Sequence, residues 1–461
     1  MRIGERSENM RKIYAAALTA VVAIQVEAVK IDRVFDREVA VREVNYDKSK
    51  IGEYTLEDPL EFLDGRKVDA KTWPERRREM LGIFAREMYG VEPPPPTTLL
   101  SELVDEKSSA LAGFAVRRQY KMYFRPDRSG PCINWIVWLP RHAKKPVPVI
   151  LFLNYRGNHE LVADPDIPVQ SGWKSDSKVH HVVNNRSSEA TRGVQQKTEN
   201  ASVFPLSTII ARGYAVMSAC YCEVSPDPVR NEKNPAFSQD SFSYTGVFEL
   251  WGRRDPSRTD DITSLGAWAW ALSRGLDLAG RIGEIDAKKS VVTGCSRLGK
   301  AALLAAARDE RFAVCIANQT GGGGAPLAKR DYGENISIEC RSFSHWYCKA
   351  YCKYAADPAK LLTFDQHMLL ACVAPRALMV QGFGVPWYDA EGEYLAMKAA
   401  SPVWEMLKAG GLPKGEFPPE FCTSAIGRNL AYVRRSEAHG MSAHDWMWIL
   451  DFADRSLSGS F

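Results

Sequence analysis

The chain has 461 residues, 45% hydrophobic and 25% charged, the makeup of a folded protein with room for one large α/β domain or two ordinary ones. Its 60 Lys and Arg against 56 Asp and Glu leave a net charge of +4 spread along the chain, which excludes the basic footprint of a nucleic-acid partner. The ten cysteines lack zinc-finger spacing with histidine neighbours and form no small disulfide framework, so no metal site is expected.

At the start, Met10-Arg-Lys12, the apolar run Ile13 to Ile24 and then Val26-Glu-Ala28 have the order of a secretory signal peptide. Cleavage after Ala28 is expected, with a secreted or periplasmic product. The apolar run is too short for a membrane span, so no membrane association is expected after cleavage. Residues 29–110 read as an N-terminal extension packing on the core, with a helix from Trp73 to Met88 and Pro93-Pro-Pro-Pro96 as a rigid connection. Strands follow at Phe114 to Phe124, Ile133 to Leu139 and Val147 to Asn154, the last apolar on both faces as a central strand would be. The polar stretch Asp164 to Ser202 carries no clear element and reads as a surface excursion over the site.

Further on, a strand at Gly213 to Cys220, a helix at Thr263 to Leu278 and a strand at Val291 make βαβ units and a mainly parallel sheet. Strands at Phe312 to Asn318, Ala377 to Gln381 and Leu430 to Arg434 complete it, with helices at Glu391 to Ala409 and Ala443 to Leu457. This is the element order of an α/β-hydrolase: a central sheet flanked by helices in a three-layer sandwich. Cys220 and Cys222 fall on one face of a strand, Cys348 and Cys352 on one helix; buried free thiols are expected, with room for one bridge.

The chemistry centres on Val291-Val-Thr-Gly-Cys-Ser-Arg-Leu-Gly-Lys300 and the alanine-rich run behind it. Strand, sharp turn and helix are the setting of a nucleophile elbow, with Ser296 at the turn. Its glycines at 294 and 299 make the spacing one residue longer than the usual signature, and a serine capping a packed helix is the competing reading. Acyl transfer by serine also needs a base, an orienting group and oxyanion donors. His439 lies just past the last strand, where the base belongs; His444 begins the final helix and reads as a first-turn residue. Arg297 is a candidate oxyanion donor, a salt bridge to a remote partner being its ordinary alternative.

Gly294-Cys-Ser-Arg-Leu-Gly-Lys300, Gly321-Gly-Gly-Gly-Ala325, Tyr332-Gly-Glu334, His345-Trp346, Trp387 with Asp389, Gly392-Glu393, and His439 with Asp445-Trp446 closely resemble the glucuronoyl esterases of carbohydrate esterase family 15. Arg156-Gly-Asn-His159 with Asp164-Pro165, and Trp268-Ala-Trp270, look like its bacterial branch. The resemblance implies residues 111–461 as an α/β-hydrolase catalytic domain acting without cofactor. Ser296 would be the nucleophile, His439 the base and Arg297 an oxyanion-stabilising residue. Lys300 and Glu334 would bind the hydroxyls of a glucuronoyl ring, and Trp387 would line the sugar site. Each has an ordinary alternative: a helix-surface lysine, a structural ion pair, a core tryptophan.

The acid departs from the family pattern. A glutamate after the strand following the elbow, or an aspartate before the sugar-site tryptophan, is matched here by Gln319 and Val385. Asp389, Glu391, Glu393 and Glu437 are substitutes to test, although Asp389 to Glu393 also reads as a helix cap with an acidic first turn. The implied function is hydrolysis of esters between 4-O-methyl-glucuronic acid of glucuronoxylan and lignin alcohols, by a monomer and with activity weakened by the missing acid. The alternatives are an impaired relative that binds uronic-acid polysaccharide, and an esterase of acetyl or simple alkyl esters.

Overall fold

In the computed structural model, residues 30–458 are described apart from 35–36, 145, 173, 175–180, 185, 198–201, 229–244, 253–254, 256, 418–422 and 436–437. The expected signal segment 1–28 and Glu437 therefore lie outside the described residues. A two-stranded antiparallel pair, β1 (Ile31–Val34) and β2 (Arg37–Ala40), precedes the main sheet. That sheet contains β3 (Leu100–Ala110), β4 (Ala115–Tyr123), β5 (Cys132–Pro140), β6 (Val147–Asn154) and β7 (Ala215–Cys220). It continues with β8 (Ile285–Cys295), β9 (Val314–Asn318), β10 (Ala377–Phe383), β11 (Thr423–Ile426) and β12 (Leu430–Arg435). The spatial order is β11-β12-β10-β9-β8-β6-β7-β5-β4-β3, parallel from β12 to β7 and antiparallel at both margins.

The two-residue period of the strands divides the apolar side chains between two cores. From β6, Val149, Leu151 and Leu153 enter one core while Ile150 and Phe152 enter the other. The first core is roofed by the helices Ser264–Ala279, Arg297–Arg308 and Ala390–Met406; the second by Leu206–Ala211 and Ala443–Ser458. Covering both faces explains why the central strands read as unbroken apolar runs. The result is the α/β-hydrolase fold. In-register pairs align Cys295 with Asn318 and Asn318 with Gln381, so the residues that follow β8 and β9 emerge together at one carboxyl-terminal edge.

Differences from the sequence reading have local causes. Strand β3 starts the sheet at Leu100, ahead of the boundary expected at 111; it is an edge strand with mostly half-exposed or exposed side chains, so it lacks an apolar signal. The helix expected to Met88 is α-helical only to Phe84 and continues as a π-turn, Ala85–Tyr89. Cys222 is not on a strand: β7 ends at Cys220, and Cys222 sits in the short helix Tyr221–Val224 with its Sγ 3.1 Å from that of Cys220. Cys348 precedes a 3-10 turn, Lys349–Ala355, that contains Cys352. Within the described part of the 164–202 excursion, Arg192 donates to the Asp164 and Ile167 carbonyls, and just beyond it Val203 N–H donates to Met441 O at 2.8 Å.

Candidate active site

Strand β8 ends at Cys295 and the next helix begins at Arg297, so Ser296 alone turns the chain. It does so at φ 58° and ψ −131°, a positive-φ conformation that costs a non-glycine residue of order 1–3 kcal/mol. Its side chain makes no capping bond to the helix, which removes the capping alternative. A Cβ on Gly294 would lie 2.2 Å from the Leu298 carbonyl oxygen, and one on Gly299 2.8 Å from that of Asn318. Both glycines are needed for strand and helix to close this tightly around the serine. The Ser296 N–H donates to Asn318 O at 2.9 Å, fixing the elbow to the end of β9. Tyr155, at the end of β6, donates its hydroxyl to Cys295 O at 2.6 Å; burial pushes its pKa up, and a hydrogen bond with Ser296 pulls against that.

His439 rests on Gln319. Its Nδ1 meets Gln319 Oε1 at 2.9 Å, and that oxygen also accepts the Gly440 N–H at 3.2 Å. Gln319 Nε2 donates to the Gly440 carbonyl at 2.6 Å and to Asn318 Oδ1. The side-chain amide thus pairs with both polar groups of Gly440, which fixes its orientation and assigns the imidazole proton to Nδ1. Nε2 keeps its lone pair. The ring stacks on Tyr388, centroids 4.9 Å apart, and leans on Phe383 at 6.0 Å. Burial, then the nearby cations Arg435 and Arg297, push the His439 pKa down to about 4. Arg435 is itself buried against Asp445 at 2.6 Å and donates to the Ala438 and Gly440 carbonyls, holding the histidine loop from both sides.

Arg297 does form the remote ion pair that was its ordinary alternative: its partner is buried Asp227, reached by Nη1. The guanidinium lies 4.7 Å from the Trp346 ring and 5.7 Å from Phe343. After β6 the amides of Tyr155 and Arg156 are taken by Glu160 Oε1 and that of Gly157 by Asn154 Oδ1. That loop therefore offers no spare N–H at these three positions, and the first turn of the Arg297–Arg308 helix and the Arg297 side chain are the donors that stand next to Ser296 in the chain.

Lys300 and Glu334 meet each other, Nζ to Oε2 at 3.1 Å, with side chains 2% and 6% exposed. Lys300 is thus no surface lysine, and its ammonium sits 4.8 Å from the Trp346 ring. Glu334 N–H donates to Trp387 O at 2.8 Å, which brings half-buried Trp387 beside the pair. The three described acid substitutes are engaged elsewhere than at His439. Asp389 pairs with Arg330 at 2.9 Å and caps the Gly392 N–H, Glu391 pairs with Lys48 and Arg330, and Glu393 is buried against Thr320 at 3.1 Å. Val385 is exposed, and His444 stands exposed in the first turn of the last helix. No cluster of three metal-binding side chains occurs among the described residues, nor is any of their helices long and apolar enough to cross a membrane.

A family model described as "Glucuronyl esterase, fungi" matches residues 182–408. The carbohydrate esterase MZ0003 of an unknown prokaryotic organism is 35% identical over 425 residues, covering 91% of this chain and 93% of the relative. The chain belongs to the glucuronoyl esterases of carbohydrate esterase family 15. It is a carboxylic ester hydrolase. The solved structure of a promiscuous family 15 esterase from a marine bacterial metagenome superposes with a TM-score of 0.80 at 34% identity, covering 90% of this chain and all of that one. A 4-O-methyl-glucuronoyl methylesterase of Podospora anserina is 26% identical over 77% of this chain and 60% of its own length.

Among the described residues, the group that meets His439 Nδ1 is the neutral amide of Gln319, not a carboxylate. Sequence reasoning missed Asp227, Tyr155, Tyr388 and the Arg435–Asp445 pair. Of these only Asp445 lay within a quoted motif, and Tyr155 and Tyr388 were each next to one.

Proposed function

We propose that the chain is an exported serine esterase that cleaves esters between 4-O-methyl-glucuronic acid of glucuronoxylan and lignin alcohols. Support comes from one observation above all: strained Ser296, His439 with Nδ1 occupied by Gln319, and the buried Lys300–Glu334 pair share one sheet edge. Ser296 Oγ attacks the ester carbonyl and gives its proton to His439 Nε2. The Arg297 amide and guanidinium meet the oxyanion. As the tetrahedral centre collapses, His439 returns the proton to the leaving alcohol. Water, deprotonated by the same nitrogen, then releases the glucuronic acid from Ser296. Lys300 and Glu334 hydrogen-bond the ring hydroxyls and Trp387 supplies an apolar wall.

Gln319 orients the imidazole but brings no charge to stabilise the imidazolium, and Arg435 opposes it. Turnover is accordingly weak: in serine proteases neutralising the acid lowers kcat roughly 10⁴-fold. Likeness to a promiscuous relative favours a second reading, an esterase that also takes acetyl or simple alkyl esters. Hydrolysis of a benzyl glucuronate ester by the wild type and by Ser296→Ala tests the proposal. We expect the variant to lose at least roughly 10³-fold. Indistinguishable rates would leave only a polysaccharide-binding role, and equal activity on acetyl xylan would favour the second reading.

A further inference from the structure

Asp227 lies in Ser225-Pro-Asp-Pro228, outside every motif read for catalysis, yet four donors converge on it. Oδ1 accepts from His345 Nε2 and from Trp346 Nε1, both at 2.8 Å. Oδ2 accepts from Tyr221 Oη at 2.9 Å and from Arg297 Nη1. Burial alone would push its pKa up, but Arg297, His345 and Trp346 together hold the carboxyl below its ordinary range. Burial pushes the His345 pKa down, so the cation in contact with Asp227 is Arg297.

Trp346 is bound twice into this arrangement. Its indole N–H donates to Asp227 while its ring lies 4.7 Å from the Arg297 guanidinium, and Phe343 stacks on it with centroids 4.0 Å apart. The guanidinium is therefore held through Nη1 by Asp227 and lies against the Trp346 ring. A flexible arginine beside a nucleophile stabilises a developing charge only if its donors are already aimed where that charge appears.

We propose that Asp227 is a positioning residue for the oxyanion: it holds the Arg297 guanidinium ready, with Tyr221 and Trp346 as its supports. The inference rests on Arg297 serving as the oxyanion donor. A carboxylate that merely tied residues 221–228 to residues 345–346 would stabilise the fold without acting through Arg297, and a double-mutant cycle separates the two. The kinetics of benzyl glucuronate ester hydrolysis are measured for Asp227→Asn and Tyr221→Phe, each alone and combined with Arg297→Ala. Tyr221→Phe removes one donor from the oxygen that takes Arg297 and leaves the ring, so it carries the test if Asp227→Asn does not fold.

With Arg297 present, Asp227→Asn should lower kcat roughly 100-fold, the scale of a lost oxyanion donor, while KM stays within about threefold. Tyr221→Phe should lower it by roughly 3- to 10-fold. In the Arg297→Ala background both losses should shrink to less than about threefold. Equal losses in the two backgrounds, or no loss of kcat from either variant, would overturn the positioning role while leaving Arg297 as donor. Full activity of Arg297→Ala alone would overturn the oxyanion reading itself and this inference with it.

Discussion

His439 and Arg297 stand on opposite kinds of support. The histidine hangs on a neutral amide: Gln319 grips Gly440 at both its N–H and its carbonyl and offers Nδ1 an oxygen without charge. Burial, then the cations Arg435 and Arg297, depress its pKa to about 4. The arginine instead is set against a buried carboxylate that takes three further donors and against an indole face. Among the described residues, Arg297 has a carboxylate partner and His439 a neutral one. On the proposed mechanism, binding the transition-state oxyanion is favoured and forming the imidazolium is not, so proton transfer is expected to limit the rate.

Alanine substitution on each side gives the largest effects and could break the comparison outright. His439→Ala should reduce kcat on a glucuronoyl ester by at least roughly 10³-fold, and Arg297→Ala by roughly 10²–10³-fold. A larger loss for Arg297→Ala than for His439→Ala would mean that the oxyanion arm carries even more than proposed; a negligible one would erase the contrast. On the substrate side the expected effect is smaller and selective. Glu334→Gln, chosen because it keeps the side-chain shape and a hydrogen-bond acceptor for buried Lys300, should cost roughly 10- to 100-fold on glucuronoyl esters. On a small generic ester the loss should be within about threefold, since no ring hydroxyls are lost. Equal losses on both substrates would make the pair structural.

The sequence carried the sheet where apolar runs are long, as in β6 and β7, and the elbow where glycine spacing and the alanine-rich helix coincide. It missed β3 because an edge strand alternates toward solvent and shows no continuous apolar run. Gln319 was legible because it immediately follows β9, and His439 because it lies in the loop just past β12. Asp227 was not. Ser225-Pro-Asp-Pro228 has the composition of a turn, and its partners lie 70 residues away at Arg297 and 118 and 119 away at His345 and Trp346. No local pattern encodes a carboxylate assembled from such distant segments. The partner of Arg297 was hidden for the same reason: its ion pair depends on where the short Tyr221–Val224 helix delivers the chain.

The pH dependence of kcat/KM on a benzyl glucuronate ester, for the wild type and Gln319→Glu, tests the neutral base arm most directly. Activity requires uncharged His439 Nε2, so the rate rises with pH through the histidine pKa and is lost below it. The wild type should hold its activity down to about pH 4. In Gln319→Glu the carboxylate favours the imidazolium, so the acid limb should move up by about 1–2 pH units and the plateau rate should rise about tenfold. A wild-type limb already near pH 7, or a variant with an unshifted limb and an unchanged or lower plateau, would contradict the account.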